Sequence, residues 1–193
     1  MIASPRNCRT IALSFLAAAF ALLTCGGPTK AEPSGPCAHQ KLPAAIAEQL
    51  KEKFGGWRFL NLSDLYADDQ ELWTQSHANE CPGIAIGHFE RPDDLAYAFL
   101  LVPQAKSENG FKLVVFSRAT NNTPYTLKVL EHAESKDTFP PIIYRVPPGK
   151  YTGFDAAKSI RIVLDGINVE WIEKSSYIEY WLGDHYHKIW TSD

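Results

Sequence analysis

The densest group of chemically versatile side chains lies near the C-terminus, at Asp184-His185-x-His187. On a strand, residues two apart share a face, so both imidazoles could bind one metal ion. No third ligand can be named beside them. The pair reads equally well as two half-buried histidines packed on aromatic rings, and no metal or other cofactor is assigned. Those rings are Trp171, Tyr177, Tyr180, Trp181, Tyr186 and Trp190. Aromatics on a sheet face bind sugars or proteins, and they also make ordinary sheet core. Trp181, Tyr186, His185 and His187 are therefore the candidate ligand-binding residues, with most of the other rings expected in the core. Glu170, Glu173 and Glu179 are the strand carboxylates that could do acid–base work. A glycosidase needs two such groups facing each other across a cleft. No G-x-S-x-G occurs, and Gly55-Gly56 follows a helical pattern instead of opening one around a phosphate. No catalytic residue is assigned.

Two turn signals set the strands that carry these groups. A hairpin at Gly183-Asp184 places Tyr180 opposite His187, Glu179 opposite Lys188, Ile178 opposite Ile189 and Tyr177 opposite Trp190. An ion pair and an apolar pair both match, and a one-residue slip loses them. In this register His185 and His187 share a face with Ile178, Tyr180 and Ile189. Trp181 and Tyr186 share the other face with Glu179 and Lys188, which is expected to be the more exposed. Asp165-Gly166 reads as a second two-residue turn, pairing Leu164 with Ile167, Ile162 with Val169 and Arg161 with Glu170. Arg161 and Lys188 then neutralise Glu170 and Glu179 without any catalytic role.

Upstream, Ile46, Leu50 and Phe54 recur at four-residue spacing and predict a helix over 42–54, stopped by Gly55-Gly56. A short strand is expected at 57–62 and a second helix over 68–76. Apolar runs at 83–89, 95–102, 111–117 and 125–132 read as strands, as does 142–146 between two proline clusters. The expected fold is α+β: one or two N-terminal helices packed on a mainly antiparallel sheet, with a C-terminal β-meander of about four strands. Residues 42–193 form one domain in this reading.

The stretch Gly87-His88-Phe89-Glu90-Arg91-Pro92-Asp93-Asp94-Leu95-Ala96-Tyr97-Ala98, followed by Phe99-Leu100-Leu101, resembles the FG-GAP/VCBS-like loop of certain bacterial secreted proteins. Gly87, Phe89, Tyr97, Ala98 and the leucines carry the likeness. The ending Tyr180-Trp181, Tyr186, Trp190, Ser192-Asp193 resembles the C-terminus of the same proteins. The resemblance implies no activity. It does not imply calcium either, because His88, Pro92 and Ala96 stand where that loop has acidic ligands, and Arg91 sits among the remaining Glu90, Asp93 and Asp94. A polar turn between two strands is the expected structure.

The N-terminus reads as an export signal over 1–31. Arg6 and Arg9 precede an apolar stretch from Ile11 to Leu23 that is short for a membrane span. Thr29-Lys30-Ala31 fits a small-x-small cleavage site, which favours soluble export. Leu22-Leu23-Thr24-Cys25 is the alternative, a lipoprotein box with Cys25 lipid-anchored in the envelope. Residues 32–41, rich in Pro, Gly and Ser, read as a flexible linker. Cys37 and Cys81 remain after cleavage. In an oxidising compartment they are expected to pair, closing a loop worth roughly 4 kcal/mol in the chain-entropy model. A zinc site from Cys37, His39, His77 and Cys81 is the alternative, although neither spacing matches a common finger.

The whole chain of 193 residues carries a formal net charge of −3, and 45% of it is hydrophobic. Losing Arg6, Arg9 and Lys30 with the leader makes the rest more acidic. Such a chain has no basic excess for nucleic acid and meets a membrane only through an anchor at Cys25. The expected function is that of a periplasmic or secreted, non-enzymatic module that binds a protein or small ligand. The alternative is an envelope hydrolase or divalent-metal binder using His185 and His187. A pocket gathering both histidines with a carboxylate points to an enzyme. A flat aromatic patch without perturbed titratable groups points to binding.

Overall fold

Two strands are apolar at nearly every position and so need cover on both faces. They are Ala96–Pro103 (β3) and Phe111–Ser117 (β4). The computed structural model, which describes residues 35–105, 110–120, 123–134, 139–155 and 158–193, shows how that cover is built. The expected leader over 1–31, Cys25 included, lies outside the described residues.

Sheet A is antiparallel. Thr126–Ala133 (β5) flanks β4, and β4 flanks β3. On the far side of β3, Trp57–Phe59 (β1) and Ile84–Gly87 (β2) pair with different stretches of the same strand. Ala98, Leu100, Leu113 and Val115 face one way, and Phe99, Leu101, Val114 and Phe116 the other. The second face is covered by the helix Ala44–Lys53 (α1) through Ile46, Leu50 and, just past its end, Phe54. These are the three positions whose spacing predicted the helix. The Phe54 N–H closes the last turn on the Leu50 carbonyl at 2.9 Å. The expected strand at 57–62 is shorter, because Asn61 instead caps a 3-10 turn over Leu62–Asp64, which leads to the second helix, Ala67–His77 (α2).

The first face of sheet A packs on sheet B, whose strand order is β11-β10-β9-β6. These strands are Ile142–Val146 (β6), Gly166–Trp171 (β9), Ser175–Leu182 (β10) and His185–Ser192 (β11). Ile142, Ile143, Ile167, Val169 and Tyr177 supply its share of the common core. The outer face of sheet B is covered in turn by a hairpin of Gly149–Thr152 (β7) and Ser159–Ile162 (β8), over Ile178, Tyr180 and Ile189. The body is thus mainly β with helices beside it, an α+β fold.

The predicted register of β10 and β11 is the observed one at all four pairs. The Asp165-Gly166 hairpin is not. β8 pairs with β7, and β9 pairs with β6 and β10, so Arg161 lies opposite Lys150 and Glu170 opposite Ile142 and Ser176. The reason is the Asp165 side chain. It is buried, it accepts the His88 backbone N–H at 2.8 Å, and it pairs with Arg145 at 3.0 Å. It fastens sheet B to the β2–β3 connection instead of tipping a turn. Gly166 is needed there for space: a Cβ would stand 2.7 Å from Ile178 Cγ2 and 2.9 Å from Val146 Cγ2. The four-strand sheet therefore takes its fourth strand from β6.

Cys37 and Cys81 form a disulfide with Cα atoms 4.7 Å apart, which removes both thiols from any zinc site. Of the expected linker, Pro36–His39 coils into a 3-10 turn around that bond. The disulfide fits a non-reducing compartment. Among the described residues no helix is long and apolar enough to cross a membrane.

Candidate functional site

At one margin of the sandwich, β5 of sheet A and β11 of sheet B both run as edge strands. Between them opens a cleft of about 560 Å³ lined by Trp181, His185, Tyr186, Glu179, Lys128 and Lys188, among others. Strand alternation dictates the lining. Glu179 and Trp181 on β10, and Tyr186 and Lys188 on β11, point towards sheet A. Lys128 and Glu131 of β5 meet them from the other side.

Charge there is arranged around two lysines. The Lys188 ammonium lies 3.6 Å from Glu179 and hydrogen-bonds Glu131, so it ties β10 to β5. It also sits 3.8 Å above the ring centre of the buried Tyr177. Lys128 donates to Glu90 Oε2 at 2.6 Å and to Ser117 Oγ at 3.0 Å, and lies 5.0 Å from the Trp181 ring centre. Tyr186 reaches over from sheet B and donates to Glu90 Oε1 at 3.0 Å. Burial and the Glu90 carboxylate together push its phenol pKa up. Among the carboxyl groups of the cleft, Glu179 is the one whose pKa is raised. Burial raises its carboxyl to about 7 and Glu131 adds to the rise, while Lys188 opposes it.

Three of the four candidate residues, Trp181, Tyr186 and His185, line this cleft; His187 does not. The Trp181 and Tyr186 rings meet edge to face at 5.1 Å. His185 is exposed and shares a hydrogen bond of 2.7 Å with Asp184. His187 lies on the outer face, stacked on Tyr180 at 5.6 Å, with the His185 ring 4.1 Å away. Among the described residues no three His, Cys, Asp or Glu side chains converge to hold a metal.

Two expectations about this face are corrected. The face of Glu179 and Lys188 is not the open one: it looks at sheet A, Glu179 is buried, and Trp181 and Tyr186 are only partly exposed at the cleft mouth. Trp190, expected in the core with the other rings, is 44% exposed, because β11 is an edge strand and Trp190 overhangs its end against Tyr177. The β2–β3 connection is the expected polar turn between two strands. Its acids do not gather on one point. Glu90 goes to Lys128, the buried Asp94 lies 3.6 Å from Arg118, and Asp93 is exposed.

Sequence reasoning missed Glu90, Lys128 and Glu131. Each lies in a different element from the C-terminal hairpin, and only the packing of one sheet on the other brings them in. Glu90 lies in the β2–β3 connection, and Lys128 and Glu131 lie on β5, an edge strand with no fully buried residue, so nothing local marks them. Comparison with family profiles, with curated proteins and with solved structures gives no match to this chain.

Proposed function

We propose that this chain is an exported protein of the bacterial envelope that works by binding, through the cleft between β5 and β11, and that its ligand is a neutral, polar, ring-bearing molecule of the saccharide kind. The observation that carries this reading is the pairing of charge in the cleft. Lys128 is held by Glu90, Lys188 by Glu131 and Glu179, and His185 by Asp184. A charged ligand would have to break one of those pairs. A neutral one needs ring faces and hydrogen-bonding groups, and Trp181, Tyr186 and His185 supply both. Export rests on the leader pattern over 1–31, and the disulfide supports it.

Calorimetric titration of the full chain with chitohexaose and with maltohexaose tests the reading. Saturable binding that Trp181→Ala weakens about tenfold is expected. Absence of binding to either oligosaccharide, or binding that ignores Trp181→Ala, contradicts it.

One observation favours a second reading, an envelope hydrolase. Glu179, with a carboxyl raised to about 7 beside the cleft, has the proton affinity of a general acid. Incubating the same sugars with the protein across pH 5 to 9 separates the two. Cleavage that Glu179→Gln abolishes supports the hydrolase, and intact sugar throughout supports binding.

A further inference from the structure

A separate hollow of about 640 Å³ lies between the N-terminal end of α2 and the β9–β10 turn. Its outer wall is aromatic. Tyr66 and Phe139, 60% and 56% exposed, lean on each other with ring centres 5.3 Å apart. The Trp171 indole N–H donates to the Phe139 carbonyl at 2.9 Å, which fixes that wall to sheet B. Large rings left in water next to a hollow mark an interaction site more often than a folding need. A smaller hollow of about 250 Å³ shares Ile142, Glu170, Ile172 and Glu173 with the first, so the two form one groove.

His77 lines the smaller part. Its ring stacks on Trp73 at 4.1 Å and tilts against Tyr144 at 4.8 Å. Its Nδ1 is buried and makes no hydrogen bond among the described residues. Acids dominate the rim: Asp68, Asp69, Glu170 and Glu173 against Lys174. Glu173 is held at φ 57, a left-handed conformation usually left to glycine, and it stands exposed at the lip.

We propose that this groove docks an extended basic segment of a partner protein. A lysine or arginine side chain enters beside Tyr66 and Phe139, within reach of the carboxylates on the rim. Charge complementarity selects this occupant. Ring faces and carboxylates both attract a cation, and a basic side chain meets both at once. An apolar segment would strip water from the carboxylates with nothing in return, and an anion would be repelled. The site is independent of the β5–β11 cleft and of the ligand proposed there.

The test is a titration of the full chain with acetylated, amidated pentapeptides of glycine carrying lysine, arginine or glutamate at the centre. Lysine and arginine peptides are expected to bind, and the glutamate peptide not. Added salt should weaken the binding. Tyr66→Ala and Glu173→Gln, both at exposed positions, should each weaken it about fivefold, while Trp181→Ala leaves it unchanged. Equal binding of the glutamate peptide, no binding of any, or affinity unmoved in both groove variants would overturn the proposal. Tetramethylammonium binding as tightly as the peptides would overturn the peptide assignment and leave a site for a free organic cation.

Discussion

Glu179 is a carboxyl whose chemistry departs clearly from that of the free amino acid. The folded state holds its proton with a pKa of about 7, against 4.5 unperturbed, chiefly because burial penalises the charged carboxylate. A raised pKa in the folded state means that folding takes up a proton in the interval between the two values. The Glu179 contribution to stability is therefore fully present below about pH 4.5 and is lost as pH rises through about 7. Glu179→Gln should flatten the fall in thermal stability between pH 5 and pH 8. Melting curves at both pH values read this directly, and a slope unchanged in the variant would remove Glu179 as its cause. The sequence showed that Glu179 faces Lys188, because hairpin register is local. It could not show that Glu131 lies on the other side of the same ammonium, nor that the pair sits between two sheets. Burial is a property of packing, so exposed and inter-sheet positions carry the same strand alternation.

The two turn signals separate what an element reveals about itself from what it conceals. At Gly183-Asp184 the glycine has φ 71 and open space around it, so the turn forms where its residues ask for it. At Gly166 the glycine is required by contact with Ile178 and Val146. The same dipeptide logic thus gave a correct register for β10–β11 and an incorrect one for β8–β9. Both glycines predict a loss on substitution, for different reasons. Gly183→Ala should cost about 1–2 kcal/mol through backbone strain alone. Gly166→Ala should cost about 1–3 kcal/mol through overpacking, and a companion Ile178→Leu, which lacks the γ2 methyl that the new Cβ would meet, should recover part of that loss only for Gly166→Ala. Urea unfolding of the variants measures both effects, and rescue of Gly183→Ala by Ile178→Leu would contradict the distinction. Helix α1 was legible for a simple reason: one apolar stripe faces one sheet. The near-continuous apolar runs of β3 and β4 already implied cover on both faces. The β7–β8 hairpin was not legible as cover for sheet B, since it is short and its outward residues are as polar as those of any loop.

At the scale of the described residues, helix, sheet, sheet and hairpin stack on one another, and the disulfide joins the 3-10 turn ahead of α1 to the segment just before β2. The two cysteines are 44 residues apart in sequence, so opening the bond frees a long loop in the unfolded chain. Replacing both with serine should cost roughly 4 kcal/mol, visible as a lower urea midpoint, and reduction should lower the midpoint of the unaltered protein similarly. A midpoint that does not move would mean that the bond contributes no stability. Two of the openings among the described residues differ in charge. In the β5–β11 cleft each lysine is paired with a carboxylate, and in the α2 groove the rim carboxylates outnumber the one lysine. Their different electrostatics are the physical ground for assigning them different ligands.

The binding reading turns on whether the β5–β11 cleft is where a ligand sits. The chain has 5 tryptophans, each with its own indole N–H signal in a ¹H–¹⁵N spectrum. Titrating the labelled full chain with chitohexaose or maltohexaose should move the Trp181 signal, with the indoles of Trp57 and Trp73 left in place. Shifts confined to tryptophans away from the cleft, or no shift at saturating sugar, would contradict the account.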